Sequence, residues 1–229
     1  MNVELISCSK DCLSILYTAA KTCYSADDPL SIMDSSFNSV KQEDQIKILK
    51  KVFSSGHLSV AEHVNFTFAI SGISRACSHQ LVRHRHASYS QKSQRYVKEG
   101  EFEYVIPPSI ENFKADIPED IKWCYISLME EIQDTYDKLI ANGIPAEDAR
   151  MVLPNACETS LTVTMNLREL IQVCNLRLCN QAQWEIRAMV QAMKNEVLKK
   201  VKDIFPLTKE LLVPNCKHCT DFRPCVNRK

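Results

Sequence analysis

The chain has 229 residues, of which 45% are apolar and 24% charged, and its 28 basic side chains balance 28 acidic ones. This length allows a substantial core within one domain, and the neutral balance disfavours a general nucleic-acid binder, which is usually basic. No stretch approaches the roughly 20 apolar residues of a membrane span. Residues 1–12 show no secretory signal, and the eleven scattered cysteines favour free thiols, so we expect a cytoplasmic protein.

The N-terminal quarter is predicted to contain one strand and two helices. Alternation over Asn2–Cys8 predicts the strand, and apolar residues at helical spacing predict a helix over Leu13–Cys23. The sequence Asp27-Asp28-Pro29 ends that pattern, and Ser36–Val40 is interpreted as a loop. A second helix is predicted for Gln42–Gly56, because glycine commonly ends a helix.

A strand and a short helix are predicted next. Apolar residues alternate over Val64–Ile70, which predicts a strand with one buried face, and helical spacing follows over Ile73–Val82. Two histidines precede the strand. Taken alone, His57 is best interpreted as a turn residue after a glycine, and His63 as a satisfied histidine at the edge of the core.

A basic stretch follows this helix and is predicted to leave it as a loop. No Asp or Glu occurs over His63–Lys98, although this window contains the cations Arg75, Arg83, Arg85, Lys92, Arg95 and Lys98. Soluble surfaces usually mix both signs of charge, so a solvated basic face is the weaker interpretation. Arginine forks and serine hydroxyls match phosphate oxygens. The stretch therefore predicts an anion-binding site.

The same stretch carries a family motif. Arg83-His84-Arg85, followed after seven residues by Ser93, is similar to the signature of the flavin-dependent thymidylate synthases. The flanking residues 80–82 and 88–96 also resemble that family. The resemblance extends over Gly56–Arg187, and a match of this length is far more specific than three basic residues.

The resemblance implies an FAD-dependent thymidylate synthase, which is a methyltransferase. In that reaction dUMP receives a one-carbon unit from methylenetetrahydrofolate. Flavin hydride, derived from NADPH, completes the methyl group of dTMP, and the folate leaves as tetrahydrofolate. The resemblance also implies a homotetramer whose active sites are shared between subunits. Neither a nucleic acid nor a membrane is expected as a partner.

The resemblance also assigns site residues by position. For the nucleotide it implies amide, hydroxyl and guanidinium side chains: Gln80, Arg83, Gln91, Ser93, Arg95, Arg150 and Arg177. For the flavin it implies a second set: Ser59, Arg83, His84, Arg85, Gln91, Asn166, Arg168 and Gln172. Arg177 is the expected catalytic residue, because a permanently charged guanidinium can meet negative charge on the pyrimidine. Ser93 is the second expected catalytic residue, acting as a substrate contact rather than a nucleophile, since the sequence shows no base partner for it.

Three polar positions depart from the family pattern. Gln91 stands where some members have Glu, Gln172 where some have Asn, and Gln181 where some have His. Because all three substitutions keep a polar side chain, they leave the predicted activity unchanged. They affect mainly the individual flavin assignments.

Some assigned residues also have ordinary structural interpretations. Arg150 lies three residues after Glu147 and is expected to form a surface ion pair with it if it has no ligand. Asn166 begins a capping-box pattern, since a glutamate follows three residues later. Arg177 lies near a predicted helix end, where a cation interacts favourably with the helix dipole.

The C-terminal half is predicted to be mainly helical. The predicted elements are a strand over Glu101–Pro107, a long helix over Asp120–Ala141, a short helix opened by Pro145, a strand over Glu158–Met165, a helix over Asn166–Arg177, and a helix from Gln183 to about Ile204–Pro206. Together they indicate an α+β fold, a mainly antiparallel sheet flanked by long helices in a single domain. We place that domain at residues 1–213 and a cysteine-containing tail at 214–229.

The tail contains Cys216, His218, Cys219 and Cys225, which suggests a metal site. A structural zinc ion usually takes two separated pairs of ligands. Here two of the candidates are adjacent and no second pair follows, so a tail without metal is favoured, and no metal ligand is expected elsewhere. A thiol- or metal-based regulator remains a distant alternative.

A second alternative is an RNA-binding module. The arginines of the basic stretch, together with Tyr89 and Tyr96, would clamp phosphates and stack on bases. The neutral charge of the whole chain counts against this alternative, and flavin absorbance of the purified protein would distinguish it from the synthase.

Overall fold

The computed structural model describes residues 1–114, 120–216, 219 and 225. Its strands are β1 (Asn2–Cys8), β2 (Asn65–Ser74), β3 (Ala87–Gln91) and β4 (Glu158–Asn166). Its helices are α1 (Cys12–Thr22), α2 (Pro29–Asn38), α3 (Gln42–Ser54), α4 (Arg75–Leu81), α5 (Pro108–Glu111), α6 (Ile121–Ala141), α7 (Ala146–Ala149), α8 (Leu167–Arg177), α9 (Trp184–Lys200) and α10 (Phe205–Leu211). Two 3-10 helices cover Leu58–His63 and Arg150–Val152.

The four strands form one antiparallel sheet in the order β1-β2-β4-β3. Burial alternates along both central strands, as the sequence pattern requires. On β2 the buried residues include Phe66 and Phe68, and on β4 they include Val163 and Met165. The α+β class and the antiparallel sheet are therefore confirmed.

The chain divides into two compact units. Unit 1 comprises Met1–Asn2, Ile70–Val82 and Ser90–Leu161. Within it, α6 contributes Met129 to a small apolar cluster with Phe102 and Cys157. Asp120 caps the start of α6, since its side chain accepts hydrogen bonds from Lys122 N and Trp123 N.

Unit 2 comprises Val3–Ala69, Arg83–Tyr89 and Thr162–Lys229. Within it, α1 packs against α2 and α3, and α8 packs against both α9 and the 3-10 helix Leu58–His63. These contacts place the start of α8 beside the 3-10 helix, and several predicted site residues lie on these two elements.

In unit 2, distant acidic side chains complete the hydrogen bonding of the N-terminal segments. The position before α1 is Asp11, which has a φ of 50° and makes no side-chain cap. Instead, Asp203 Oδ2 accepts from Leu13 N at 2.9 Å. Glu196 Oε2 accepts from Leu5 N at 3.1 Å. Residues near position 200 thus satisfy backbone groups near the start of the chain.

In unit 1, Gly72 allows a close backbone approach within β2. Its φ is +67°, and a Cβ at this position would lie 2.9 Å from the Met1 nitrogen. Only glycine adopts this conformation without strain and leaves this space empty. The glycine therefore has a structural reason at its position.

Most predicted elements are confirmed, including β1, α1, α3, β2, α4, α6, α7, β4 and α8. The loop predicted at Ser36–Val40 is wrong in its first part, because α2 extends over Pro29–Asn38. Asp28 caps this helix by accepting from Leu30 N and Ser31 N, and Pro29 occupies its first turn. The Asp-Pro pair that seemed to end a pattern in fact begins a helix.

Three further predictions are corrected. The basic stretch is not a continuous loop, since β3 forms inside it at Ala87–Gln91. The strand predicted over Glu101–Pro107 is reduced to one bridge between Tyr104 and Cys157, because Phe102 N instead donates to a glutamine side chain of α6. The last long helix ends at Lys200, and α10 follows as a separate helix.

The boundary predicted after residue 213 stays a prediction, because most of the tail lies outside the described residues. None of the helices in the described part of the chain has both the length and the apolar character that a membrane span requires.

Candidate active site

A buried histidine and an arginine form the centre of the candidate site in unit 2. His84 is 6% exposed, and its Nε2 atom accepts from Arg177 Nε at 3.0 Å. Its Nδ1 atom lies 3.6 Å from Glu169 Oε1, which is long for a hydrogen bond but close enough for electrostatic attraction. Both ring nitrogens of His84 thus face protein groups.

This arrangement requires a neutral histidine. Burial, and then the charge of Arg177, lowers the pKa of His84 from 6.5 to about 4. Because an arginine Nε–H can only donate, Nε2 must present its lone pair, and the single proton of the neutral ring lies on Nδ1. His84 and Glu169 therefore meet as a neutral imidazole and a carboxylate, not as an ion pair.

Tyr89 fixes the backbone of the same histidine. Its hydroxyl donates to the carbonyl oxygen of His84 at 2.8 Å. Burial and the charge of Glu169 raise the pKa of Tyr89, so its hydroxyl stays protonated and able to donate. Tyr89 is thus part of the support around His84, and its hydroxyl is already engaged.

The N-terminal end of α8 brings together several residues of the predicted flavin set. Asn166 caps the helix, its Oδ1 accepting from Glu169 N at 2.9 Å, so the structural interpretation of this residue holds. Its amide NH₂ can still donate to a ligand. Arg168 forms an exposed ion pair with Glu62 of the 3-10 helix Leu58–His63. That same 3-10 helix carries Ser59, which is exposed.

The two arginines of the Arg-His-Arg motif, unlike Arg168 on α8, have no acidic partner in the described part of the chain. Arg83 and Arg85 are both exposed. Within residues 1–114, 120–216, 219 and 225, neither forms an ion pair. Gln172, on α8, is also exposed. Unit 2 thus presents two uncompensated guanidiniums on the segment that carries the buried His84.

In unit 1, Gln91 is held by two buried hydroxyls. Its Nε2 donates to Ser78 Oγ at 2.9 Å and to Thr159 Oγ1 at 3.2 Å. The Ser78 hydroxyl itself donates to the carbonyl oxygen of Arg75. Both amide protons of Gln91 are therefore used within the protein, and its Oε1 remains as the group that could accept from a ligand.

Two predicted substrate arginines of unit 1 contact the same glutamate. Arg95 donates from Nε and Nη2 to Glu147 Oε2, at 3.1 and 2.9 Å. Arg150 donates from Nε to the backbone oxygen of Glu147 at 3.1 Å. The ion pair expected between Arg150 and Glu147 is therefore wrong, because the Glu147 carboxylate is bound to Arg95 instead.

The remaining residues of the predicted nucleotide set lie nearby in the sequence. Gln80 and Ser93 are both half-buried. Ser93 Oγ accepts from Arg95 N at 3.2 Å, an arrangement that fixes the serine but leaves its hydroxyl proton available. Lys92 pairs with the buried Glu99 at 2.7 Å. Two cations of the acid-free stretch thus find their counter-charges beyond it, Lys92 on Glu99 and Arg95 on Glu147.

The buried cysteines are poor nucleophiles. Burial raises the pKa of Cys12 and of Cys174 to about 12, and that of Cys157 to about 11. A thiol with such a pKa carries almost no thiolate at neutral pH. This supports chemistry in which no cysteine attacks the substrate.

Four thiols lie close to the C-terminal end of the described chain. Burial, and then the thiols of Cys179, Cys225 and Cys219, raises the pKa of Cys216. Across the described residues, however, no group of three or more His, Cys, Asp or Glu side chains is arranged to hold a metal ion. The metal-free tail stays a prediction, and His218 lies outside the described residues.

The sequence did not predict the side chains that contact and orient the predicted site residues. Glu169 was interpreted only as half of a capping box, and nothing in the sequence linked it to His84. Ser78 and Thr159 gave no signal at all. For Glu147, helical spacing identified a partner, but the wrong one, because the structure places Arg95 beside it.

The exposed arginines on the segment that carries the buried His84 are suited to a protein that binds anionic small molecules. Comparison with known proteins identifies the family more closely. The sequence model described as thymidylate synthase complementing protein matches residues 4–206. All of the predicted site residues lie within that range. The chain belongs to the flavin-dependent thymidylate synthase family, as its Arg-His-Arg motif predicted.

Similar proteins from three organisms support this family assignment. The flavin-dependent thymidylate synthase of Geobacter sulfurreducens is 43% identical over 218 residues, which cover 94% of this chain and 88% of the relative. That of Clostridium tetani is 40% identical over 232 residues, with the same two coverages. That of Pyrococcus furiosus is 45% identical over 186 residues, covering 79% of this chain and 74% of the relative.

Proposed function

We propose that this protein is an FAD-dependent thymidylate synthase that methylates dUMP to dTMP. The observation that carries the proposal is the hydrogen bond from Arg177 to His84, which spans 93 positions of the sequence. It attaches the predicted catalytic guanidinium to the central residue of the family motif. Two segments that the sequence assigns to one active site are thereby in direct contact.

Arg177 is proposed to act on the pyrimidine of the substrate. Activation of the uracil ring places negative charge on it, and a guanidinium remains positive at any pH that the protein tolerates. Because His84 binds the Nε–H, the guanidinium is held in place before the substrate arrives. A preorganised cation of this kind stabilises developing charge without reorganisation during the reaction.

The nucleotide is proposed to bind through the remaining residues of its predicted set. Arg83, Arg95 and Arg150 supply guanidiniums suited to a phosphate. Ser93 has a hydroxyl proton that can be donated, and Gln91 offers an acceptor oxygen that can receive a ring N–H. Gln80 completes this set.

The donor set of unit 2 fits a flavin dinucleotide. The diphosphate of FAD needs cationic and N–H donors, and Arg83 and Arg85 are exposed and not ion-paired within the described chain. Ser59, Arg168 and the Asn166 amide add further donors, and Gln172 completes the flavin set with Gln91. When bound, the reduced flavin supplies the hydride that completes the methyl group.

The chemistry of the product defines the co-substrates. Thymidylate carries one methyl group more than dUMP, so its synthesis requires a one-carbon donor and a reductant. We propose methylenetetrahydrofolate as the donor and NADPH as the source of reducing equivalents. With the flavin as the immediate reductant, the folate leaves as tetrahydrofolate.

A homotetramer with shared active sites is proposed for the assembly, in the cytoplasm. Its support in the structure is α6, on which Trp123 is 66% and Leu128 50% exposed. Only Met129 and Tyr136 of this 21-residue helix are fully buried within the described chain. Large apolar side chains exposed in this way commonly mark an interface.

The RNA-binding alternative has less support. Tyr96 is 81% exposed, and the Arg95 guanidinium lies 5.5 Å from the centre of its ring. Tyr89, the other candidate for base stacking, instead donates its hydroxyl to the His84 backbone. The family supports the enzyme, and the comparisons offer nothing for an RNA-binding module.

The proposal is tested by assaying dTMP formation with dUMP, methylenetetrahydrofolate, NADPH and FAD, omitting each in turn. The purified protein should bind FAD and turn yellow. Product should form only when dUMP, methylenetetrahydrofolate and NADPH are all present, and it should require added FAD only after the bound flavin has been removed. A colourless protein that makes no dTMP but retards RNA in a gel would overturn the proposal in favour of the RNA-binding module.

The catalytic assignment is tested with Arg177→Ala and Arg177→Lys. Loss of a preorganised donor costs on the order of a hundredfold or more in turnover, so we expect at least that loss for alanine. Lysine keeps the charge but loses the planar fork, and should retain part of the rate. Melting temperature and flavin content serve as controls. If Arg177→Ala melts normally, binds flavin and keeps the parental rate, Arg177 is only a helix-end cation.

A further inference from the structure

Three buried or half-buried side chains of unit 2 form a continuous line: Glu169, His84 and Arg177. The two outer residues lie on α8, in its first and last turns. They are eight positions apart, which corresponds to roughly 12 Å along the helix axis. His84, from the segment before β3, bridges the two, with Nε2 on Arg177 and Nδ1 toward Glu169.

The hydrogen-bond donors in this line determine which ring nitrogen of His84 carries the proton. Arg177 presents an N–H and therefore demands an acceptor at Nε2 of His84. If the ring carried its proton on Nε2, two donors would face each other and the contact would be lost. A group that stabilises the proton on Nδ1 thus preserves the contact with Arg177. Glu169 is the acidic residue that the structure places beside Nδ1.

We propose that Glu169 is a positioning residue for Arg177. By holding the proton of His84 on Nδ1, it keeps Nε2 as the acceptor that orients the catalytic guanidinium. This inference rests on the proposed function for the role of Arg177, but the histidine tautomer is measurable without any reaction. Asn166 and Tyr89 fix the backbone on both sides of this contact. Asn166 caps α8 by accepting from Glu169 N, and the Tyr89 hydroxyl donates to the backbone oxygen of His84.

A merely structural role for Glu169 would have a different signature. A buried carboxylate that only stabilises the fold would, when removed, lower the melting temperature, and it would lower the apparent kcat only in proportion to the folded fraction, with KM unchanged. A positioning residue changes the protonation site of His84 and lowers kcat in the protein that remains folded. Its effect also disappears once Arg177 has been removed.

The first measurement is nitrogen NMR of the FAD-bound protein with its histidines labelled in the ring. The signal of His84, identified by its absence in His84→Gln, should report a protonated Nδ1 and an unprotonated Nε2 at neutral pH. A proton on Nε2 in the unsubstituted protein would overturn the inference without any variant at Glu169. In Glu169→Leu, the population with Nδ1–H should fall.

The second measurement is kinetic. Loss of the carboxylate behind a metal-binding histidine costs on the order of tenfold to a hundredfold, and by analogy we expect a kcat loss of that size for Glu169→Leu. Glu169→Gln keeps an oxygen acceptor and should restore most of the rate. Added to Arg177→Ala, the leucine change should cost no more than about twofold, because coupled residues are not additive. Glu210→Leu, which removes an exposed partner of Lys50, is the matched control and should be neutral.

The outcomes separate the two proposals. A wild-type protein that makes no dTMP refutes the proposed function, while the tautomer of His84 still decides whether Glu169 positions the ring. An active wild type, an inactive Arg177→Ala and an unchanged kcat in Glu169→Leu refute the positioning role alone. If Glu169→Leu does not fold, Glu169→Asp withdraws the carboxylate by one methylene and is judged by the same two measurements.

Discussion

At the scale of single residues, Glu147 forms an ion pair with Arg95, whose guanidinium is proposed to bind the nucleotide. Its carboxylate accepts two hydrogen bonds from Arg95. Both side chains are about half exposed, so the pair contributes little to stability. Binding of a phosphate to Arg95 must displace Glu147 or tolerate its negative charge.

We therefore expect Glu147→Gln to strengthen the binding of dUMP. Removal of one competing exposed ion pair is worth up to about 1 kcal/mol, which corresponds to a severalfold lower KM. The turnover number should change little, since Arg177 is untouched. The matched control is Glu111→Gln, which breaks an equally exposed pair with Lys122 in the same unit. A KM that rises in Glu147→Gln would show that the glutamate aids binding by positioning Arg95.

At the scale of secondary-structure elements, β2 depends on one glycine. Gly72 has a positive φ, and the Met1 backbone fills the space that a side chain would need. We expect Gly72→Ala to lower the free energy of unfolding by about 1–3 kcal/mol, the usual cost of a strained backbone position. Denaturant unfolding would measure this loss. Gly100→Ala, where a Cβ meets nothing within 4 Å, should be neutral, and equal effects in both variants would contradict the explanation.

The elements also show what the sequence could predict. Segments with a clear apolar period, such as β4 and α6, were predicted almost to the residue. Along β4 burial follows that period directly, whereas α6 has the predicted length although only Met129 and Tyr136 of its described residues are buried. The helix α2 was missed because its start signal, Asp28-Pro29, is also typical of a turn. The strand over Glu101–Pro107 failed because Phe102 N donates to the Gln133 side chain of α6, a contact that no local pattern reveals.

The candidate site likewise contains residues that the sequence could predict and contacts that it could not. The family motif supplied its main residues, since Arg83-His84-Arg85 is specific and local in the sequence. The contacts that orient those residues, such as His84 with Arg177 or Gln91 with Thr159, join segments far apart in the chain. They depend on the folded arrangement of strands and helices, and no spacing in the sequence encodes them.

At the scale of the whole molecule, acid should destabilise the protein through His84. The pKa of its ring is about 4 in the folded protein and 6.5 ordinarily, so the unfolded chain binds a proton first as the pH falls. The stabilising contribution is complete above about pH 6.5 and is lost progressively toward pH 4, by up to about 1.4 kcal/mol per pH unit. The charged groups beside the ring nitrogens are Arg177 and Glu169, and the titratable Tyr89 contacts the His84 backbone.

Denaturant unfolding at pH 7 and pH 5 measures this dependence. The wild type should lose stability between the two values, and His84→Gln should lose much less. The control is His79→Gln, which removes an exposed histidine and should leave the wild-type slope intact. Equal slopes in the wild type and His84→Gln would assign the acid sensitivity to other groups.

Assembly is the second property of the whole molecule. A charge at an apolar interface is costly, so Leu128→Glu should shift the protein from tetramers to smaller species in sedimentation experiments. Lys138→Glu places the same charge on the same helix at a position that is already polar and exposed, and it should leave assembly intact. A tetramer that survives Leu128→Glu would exclude this part of α6 from the interface.

The hydrogen bonds from Leu5 to Glu196 and from Leu13 to Asp203 bear on the order in which the chain folds during its synthesis. Both acceptors are translated nearly two hundred residues after their donors. The first strand and helix therefore leave the ribosome before the groups that complete their hydrogen bonding exist. During translation β1 and α1 therefore remain accessible to chaperones and proteases. Their native hydrogen bonding is completed only near the end of translation.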